Sequence, residues 1–475
     1  MKGSKLYSIL SHFDKYEQNR LRKYIQSPFF NRDETLVILY DVLLDQSTKP
    51  ENELLEKEGI WKKLDLNKPY DDVRFRKYFS DLLKLIEGFL SLTVLEENQL
   101  YQNAMLMEAI RRKRIKRLYN STLNNVKKMV AEEPFKNADY FYSLYQVEKG
   151  FYSLTELETK RSDVSNVEQI SKNLDFFYLG EKLRLYCEAL SRRNILAHNY
   201  QILFAEDVIN IVKTNMPLFE EIPPIAVYYQ IFLIYTEPDN EDHYYKLKAI
   251  LSKYAGHFPP EVAKSELYLS AQNYCIRKTN MGNQNFLKEL FLLYREMLDK
   301  NIITSDGTLS PWYFKNIVQC ALHLREFDWV EQFIISYKDF LPSDFRDNAY
   351  TYSLAQVYFY QKKFDKVIQQ LQTVEYGDFT YSLGSKSMLL ATYYETDEIE
   401  PLFSLFESFR TFLNRNKDFP KDRKESYLNL IKFTKKLTRL VPGDKKTVEK
   451  LKEEVEKTPN IASIGWLREK IGELV

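Results

Sequence analysis

The densest group of chemically active side chains is a basic run at residues 111–117, in which six of seven residues are arginine or lysine. Its basic members are Arg111, Arg112, Lys113, Arg114, Lys116 and Arg117. Guanidinium and ammonium groups at this spacing can contact successive phosphates of a nucleic acid, and each contact adds salt-dependent affinity. The run therefore supports the hypothesis that the protein binds nucleic acid through this segment.

The basic run also fits a solvated helix. Neither glycine nor proline occurs in residues 89–133, so one very long helix or two abutting helices are predicted to carry it. Carboxylates at Glu108 and Glu132 can balance its charge. No aromatic side chains alternate with the basic ones, as base stacking by single-strand binders would favour. We favour the solvated interpretation and keep nucleic-acid binding as the alternative function.

Elsewhere, residues that could do catalysis or hold a metal are dispersed. No histidine stands four residues from another histidine or from a cysteine, a spacing at which two ligands share a helix face. His243 follows Asp239, Glu241 and Asp242, but the segment lacks the glycine and distal glutamate of a calcium loop. No glycine-rich phosphate loop or nucleophile elbow occurs. We therefore expect no enzymatic activity, no cofactor and no metal site.

The cysteines and the apolar runs bear on the cellular compartment. Cys187, Cys275 and Cys320 are far apart and odd in number, so we expect core residues in a reducing compartment rather than disulfides. Residues 1–16 lack the uninterrupted apolar region of a signal peptide. The longest uncharged run, residues 222–236, is shorter than the roughly 20 apolar residues of a membrane-spanning helix. These features predict a soluble, cytoplasmic protein.

Composition predicts an all-α chain with several domains or a linear array. With 475 residues the chain is too long for one compact core. Only 13 glycines and 16 prolines leave little room for the frequent tight turns of a β protein, whereas 44% hydrophobic residues are ample for burial between helices. The net charge of +1 excludes a globally basic nucleic-acid binder, so a charged partner must bind a local patch.

A repeated helix-turn-helix pattern in residues 311–413 organises the chain. Each second helix carries apolar anchors at x, x+3, x+7 and x+10. The anchors are Phe327, Val330, Ile334 and Tyr337; Phe364, Val367, Leu371 and Val374; and Ile399, Leu402, Phe406 and Phe409. The period of 35 to 37 residues is typical of a helical solenoid, in which each hairpin buries its apolar stripe against its neighbours. We expect the anchors, Phe364 among them, to be core residues.

The anchor pattern extends towards the N-terminus. It recurs with first anchors at Ile202, Tyr244 and Leu287. In three of the sets a proline lies five residues after the last anchor; these are Pro217, Pro259 and Pro342. Proline cannot continue a helix, because it lacks the amide hydrogen and clashes with the preceding turn. The second helices are therefore predicted to end before these prolines.

This arrangement resembles the tetratricopeptide repeat family over residues 175–415. Ala355 with Tyr358, and Ala391 with Tyr394, match the family's small residue and tyrosine in the first helix, and the three prolines match its terminal proline. Larger side chains replace the family's second-helix alanine, which should spread the helices apart. These larger residues are Leu247, Leu290, Val330, Val367 and Leu402.

The resemblance implies a concave surface, lined by first helices, that binds an extended peptide or another protein. Carried over by position, its residues are Trp312, Lys315, Gln319, Tyr352, Gln356, Phe359, Met388 and Thr392. The further basic residues with which the family grips the carboxylates of chaperone tails do not accompany Lys315 and Gln319. The resemblance thus implies a non-enzymatic scaffold or adaptor protein, and we expect no membrane partner and no small-molecule substrate.

Three regions are predicted along the chain. Residues 1–135 form an N-terminal helical module, residues 136–415 form the repeat solenoid, and residues 416–475 form a C-terminal helical cap. The last region is rich in basic residues and has breaks at Pro420 and Pro442. A solenoid needs such a polar terminal cap over its last apolar face.

Overall fold

The computed structural model describes residues 5–47, 55–64, 68–155, 165–196, 200–304, 307–371, 379–415, 421–440 and 444–474. Within these ranges every regular element is helical and no strand occurs, which confirms the predicted all-α class. Among the helices so described, none combines the length and the apolar character needed to cross a membrane.

The helices of the N-terminal half are α1 (Lys5–Leu10), α2 (Lys15–Gln26), α3 (Glu34–Ser47), α4 (Lys57–Lys63), α5 (Asp72–Glu97), α6 (Gln99–Lys113), α7 (Lys116–Glu132), α8 (Ala138–Thr155), α9 (Val167–Leu196), α10 (Ala205–Thr214), α11 (Met216–Phe219) and α12 (Pro223–Thr236). The later helices are α13 (Asp242–Tyr254), α14 (Pro260–Val262), α15 (Leu269–Asn280), α16 (Asn285–Asp299), α17 (Pro311–His323), α18 (Phe327–Tyr337), α19 (Ser343–Tyr360), α20 (Phe364–Leu371), α21 (Phe379–Glu395), α22 (Ile399–Arg415), α23 (Lys421–Leu437), α24 (Lys445–Lys457) and α25 (Ile464–Gly472). A π-helical segment (Ala263–Tyr268) joins α14 to α15.

Contacts divide the chain into two compact units. Unit 1 comprises Met1–Leu185 with Leu203–Ile225, and unit 2 comprises Tyr186–Ile202 with Ala226–Val475. The sequence-based boundaries at residues 135 and 415 stay a prediction.

Unit 1 begins with a helical core built by α1 to α5. Asp14 starts α2 with a capping box: its carboxylate accepts a bond from the N–H of Glu17 (2.8 Å), and the Glu17 carboxylate accepts one from the N–H of Asp14 (2.9 Å). The apolar faces of these helices meet at fully buried side chains such as Leu10, Leu21 and Leu82. Local capping thus turns the chain so that short amphipathic helices share one core.

The helices that carry the basic run are shorter than predicted. Residues 89–133 lie on α5, α6 and α7, rather than on one helix or two. Asn98 begins α6, because its side chain accepts a hydrogen bond from the N–H of Tyr101 (2.9 Å). Arg114 ends α6 in the left-handed conformation, with φ at 55°, and α7 starts at Lys116. The basic run is therefore split between two helices.

Four helix pairs of unit 2 are closed by the same kind of turn: α15–α16, α17–α18, α19–α20 and α21–α22. In each, the second residue after the first helix has a positive φ. These residues are Gly282 (98°), Arg325 (60°), Lys362 (58°) and Asp397 (56°). The next N–H then bonds to a carbonyl in the last turn of the helix, as from Lys363 to Tyr358 (2.9 Å). Each turn therefore satisfies backbone groups that the helix end leaves open.

Lys362 offers a direct test of this turn. Glycine adopts a positive φ without the steric cost of a Cβ atom, about 1–2 kcal/mol, although it has more freedom in the unfolded chain. We expect Lys362→Gly to raise the free energy of unfolding by about 0.5 kcal/mol or more, as measured by urea denaturation. The control is Lys366→Gly inside α20, which should lower it by about 1 kcal/mol. A loss of stability at both positions would contradict the role of the turn.

In the three hairpins from residue 311 on, the second and third anchors of each set are buried, whereas the first anchor is more exposed. The second anchors, Val330, Val367 and Leu402, have no exposed surface, which confirms the predicted helix faces. Phe327 and Phe364 are partly exposed, and Ile399 is exposed. Each of these first anchors is the first residue of its helix and lies beside the turn. Because Phe364 is partly exposed there, the prediction that it is a core residue is wrong. Val374 lies outside the described residues, as do Pro420 and Pro442.

The three aligned prolines follow the ends of α10, α13 and α18. Pro217 lies in the first turn of α11, Pro259 precedes α14, and Pro342 precedes α19. Each second helix ends before its proline, as predicted. The fixed φ of proline also suits the start of the next helix.

Candidate interaction surfaces

Three first helices of unit 2 lie side by side, because α17 contacts α19 and α19 contacts α21. Between α17 and α19, the rings of His323 and Tyr360 have centroids 6.1 Å apart. Between α19 and α21, the rings of Tyr352 and Tyr381 meet edge to face at 5.5 Å. We call the solvent side of these three helices the first-helix surface.

The eight residues predicted to bind a peptide all lie on these helices, but at different depths. Trp312 is 50% exposed and Lys315 is exposed, whereas Gln319, Tyr352 and Phe359 are partly exposed. The remaining three are buried: Gln356, Met388 and Thr392. The structure therefore leaves five of the residues within reach of a surface ligand and places three in the interior.

Tyr352 is a contact between α19 and α21. Its hydroxyl lies against Gly384, where a Cβ atom would collide with it, so the close approach depends on glycine at that position. Burial raises the pKa of Tyr352 above its ordinary value, so the hydroxyl stays neutral. Tyr352 therefore contributes packing between the helices as well as an edge to the surface.

The exposed line of α17 combines an aromatic ring with a positive charge. Trp312, Lys315 and Gln319 are spaced three and four residues apart, so they share one helix face. His323 continues the line, with its Nδ1 2.7 Å from the carbonyl oxygen of Gln319. A ring, an ammonium group and an amide in one line can contact an apolar side chain, a carboxylate and the backbone of an extended peptide.

The start of the basic run is neutralised within its own helix. Arg111 donates two hydrogen bonds to Glu108, both 2.7 Å long, and Arg112 donates a third to the same carboxylate at 2.7 Å. The bonds from Arg111 and Arg112 lower the pKa of Glu108 to about 2. Two of the six cations are therefore held by a carboxylate one turn away.

The other basic residues lie on both sides of the helix break. Lys113, Arg114 and Arg117 are exposed, and none of them forms an ion pair with another residue that the structure describes. The side chain of Lys116 lies outside the described part of the chain. The structure thus does not gather the predicted set on one continuous helix. Nucleic-acid binding by this run stays a prediction.

Sequence reasoning missed a set of polar contacts between helices of unit 2. Tyr244 and Lys248 of α13 both bond to Glu289 of α16, at 3.1 and 2.5 Å. Tyr268 donates to Glu296 at 2.9 Å. Burial raises the pKa of both tyrosines, so each hydroxyl stays protonated and donates. The partners are 28 to 45 residues apart, so no local spacing indicates them.

A second missed cluster surrounds Lys470 in α25. Its side chain is 4% exposed and lies 2.9 Å from Glu395 and 2.8 Å from Glu473. The indole N–H of Trp466 also donates to Glu395, at 2.9 Å. Burial lowers the pKa of Lys470, but its bonds to the two carboxylates raise it more, to above the ordinary value. The lysine is therefore charged in the folded protein and ties α25 to α21.

A groove along α22 was also not predicted. Its lining comes from one face of the helix: Glu407, Ser408, Thr411, Phe412 and Arg415. Lys435 of α23 lies 3.2 Å from Glu407. The ammonium group of Lys386 lies 5.5 Å from the ring centroid of Phe412. Cations thus flank a groove that contains two hydroxyl groups.

The described residues form no metal-binding group of histidine, cysteine and carboxylate side chains. His243 bonds to Glu237 at 2.9 Å, and His198 lies outside the described ranges. All three cysteines are buried core residues, as predicted. Burial raises the pKa of Cys275 and of Cys320 to about 12, which leaves little of the reactive thiolate at neutral pH.

Comparison of the chain with protein-family models, with curated proteins and with solved structures found no match.

Proposed function

We propose that the protein is a non-enzymatic, cytoplasmic scaffold or adaptor. On this proposal its helices stack as a tetratricopeptide-like solenoid and bind another protein or an extended peptide on the first-helix surface. The observation that carries the proposal is the side-by-side arrangement of α17, α19 and α21, with Trp312 and Lys315 exposed along α17. Helical-repeat proteins use surfaces formed by stacked helices to bind their partners, and binding is proposed for this chain by analogy with them.

Two features support the stacking. The left-handed turn residues from Gly282 to Asp397 recur at intervals of 43, 37 and 35 residues, being at 282, 325, 362 and 397. From α17 onwards, α17 and α19 each contact both their own hairpin partner and the next first helix. Further along, α23 contacts α22, α24 and α25, which suits a C-terminal cap. Sequence period and turn geometry thus agree over the same hairpins.

The chemistry of the surface indicates the kind of partner. Trp312 presents a half-exposed ring, and tryptophan is among the residues that most often dominate the binding energy of protein interfaces. Lys315 adds a positive charge one turn away, so a segment with an apolar and an acidic residue at matching spacing fits best. Three buried cysteines without disulfides suit a reducing compartment, which supports the cytoplasmic location.

Affinity capture from the source cells tests the proposal. Trp312→Ala removes the exposed ring and should weaken recovery of the proteins captured by the wild type, by roughly 30-fold in affinity for a loss of about 2 kcal/mol. Ile335→Ala on α18 changes a residue that is also 50% exposed, and should retain those proteins. If the wild type, Trp312→Ala and Ile335→Ala all recover the same proteins, or if none of them recovers a protein above background, the result counts against the first-helix surface.

A further inference from the structure

Helix α9 carries apolar side chains on two opposite faces. Phe176, Leu179 and Leu183 are buried. On the other face, four apolar side chains stay exposed to solvent along five turns, about 27 Å of helix, among the residues that the structure describes. They are Val167 (50% exposed), Leu174 (42%), Tyr178 (40%) and Leu185 (41%). At 3.6 residues per turn all four fall within about 40° of one another around the helix, so they form one stripe rather than scattered exposed residues.

The stripe continues onto the segment that precedes α10. Lys182 lies between Tyr178 and Leu185 and donates a hydrogen bond to the carbonyl of Leu203 (3.1 Å). Leu203 is 71% exposed and Phe204 is 65% exposed. Phe204 also has a φ of 60°, a strained conformation for a bulky residue. Two further apolar side chains therefore extend the exposed surface of unit 1 beside the stripe.

We propose that the α9 stripe is the interface between two copies of this chain, paired antiparallel. The spacings along the stripe are 7, 4 and 7 residues, so they read the same in both directions. A twofold axis midway along it places Val167 opposite Leu185 of the partner subunit, and Leu174 opposite Tyr178 of the partner subunit. One self-complementary patch then serves both copies, as a twofold interface requires.

Charges beside the stripe fit the same pairing. In an antiparallel helix pair, residues on the same side of the two stripes meet. Glu168 and Lys182 lie on the same side, near opposite ends, so Glu168 of one copy comes within reach of Lys182 of the partner subunit, twice by symmetry. The two Asp175 carboxylates approach each other near the axis, and Lys172, one turn earlier on each helix, offsets their repulsion. The opposite charges of Glu168 and Lys182 therefore favour a second, antiparallel copy of the chain as the binding partner of the stripe.

Sedimentation velocity of the full chain tests the pairing. The wild type should sediment with twice the mass of one chain, whereas Leu174→Lys, which places an ammonium group inside the stripe, should sediment as a single chain. Val73→Lys on α5 changes a residue that is 79% exposed and should leave the dimer intact. Circular dichroism checks that both variants keep their helices. A wild type that is monomeric or larger than a dimer, or a dimeric Leu174→Lys, overturns the proposal.

A charge exchange tests the orientation. Glu168→Lys should raise the dimer dissociation constant about tenfold, because it replaces two attractions by two repulsions. Adding Lys182→Glu to the same chain should restore the wild-type constant. If the exchange restores nothing, the antiparallel register is wrong and the proposal fails. The first-helix surface lies in unit 2, so its binding assay is read independently of this outcome.

Discussion

Replacing Phe409 by alanine is expected to lower the free energy of unfolding by about 3–5 kcal/mol. The ring is fully buried in a core to which α21, α22, α23, α24 and α25 all contribute, and its centroid lies 5.9 Å from that of Tyr427. Truncation removes these contacts and leaves a cavity that closely packed neighbours can fill only in part. Urea denaturation followed by far-ultraviolet circular dichroism measures the loss.

Phe364→Ala provides the matched control. Phe364 occupies the first anchor of its helix and is partly exposed, so its truncation should cost only about 1–2 kcal/mol. Both substitutions remove the same atoms, so the difference between the two losses in free energy of unfolding measures how deeply each ring is buried in the core. Equal losses at the two positions would show that the first anchors are as deeply packed as the last ones.

Glu395→Ala is expected to cost about 3 kcal/mol, which is the lower end of the range for removing one partner of a buried ion pair. It leaves the buried ammonium group of Lys470 with Glu473 and Glu469, whose side chains are 54% and 55% exposed. It also removes the acceptor of the Trp466 N–H. The same denaturation measurement applies. A loss below about 1 kcal/mol would show that Glu473 and water replace Glu395 fully.

A double variant separates the charge from the packing. Adding Lys470→Met to Glu395→Ala removes the buried ammonium charge that has lost the Glu395 carboxylate. The double variant should therefore be more stable than Glu395→Ala alone, by about 1–2 kcal/mol. The pKa of Lys470 is raised in the folded protein. The contribution of Lys470 to the free energy of unfolding is therefore complete below the ordinary pKa of 10.5, and it is lost as the pH rises through the folded pKa. The cluster should therefore contribute fully at neutral pH. A double variant no more stable than Glu395→Ala would contradict the buried charge as the cause.

The sequence sufficed for the helical class and for most core positions of the hairpins. Periodicity of 3.6 residues determines which face of a helix is apolar, and Val330, Val367 and Leu402 are buried as that periodicity predicts. Periodicity does not determine how deeply a residue is buried at a given position along the helix. Phe364 has the right phase but stands in the first turn, beside the left-handed Lys362, where fewer neighbours cover it.

Helix breaks and polar contacts were harder to predict. Arg114 adopts a left-handed conformation without glycine or proline nearby, so composition did not indicate where α6 ends. For the candidate site, position within a repeat placed Gln356 and Thr392 on a surface, whereas close packing of neighbouring helices buries both side chains. Glu395 and Lys470 lie on different helices and far apart in the sequence, and no local pattern encodes such a pair.

The bond network between α25 and α21 bears on how far the chain can be shortened. Trp466 reaches Glu395 across 71 residues of sequence, and Leu467 and Ile471 of the same last helix are buried in the core that contains Phe409. A chain truncated before Ile464 would lack the Lys470 ammonium group and the Trp466 indole that contact Glu395 of α21, and part of that core would be exposed to solvent. The last helix is therefore a fixed part of unit 2 and not a trimmable tail.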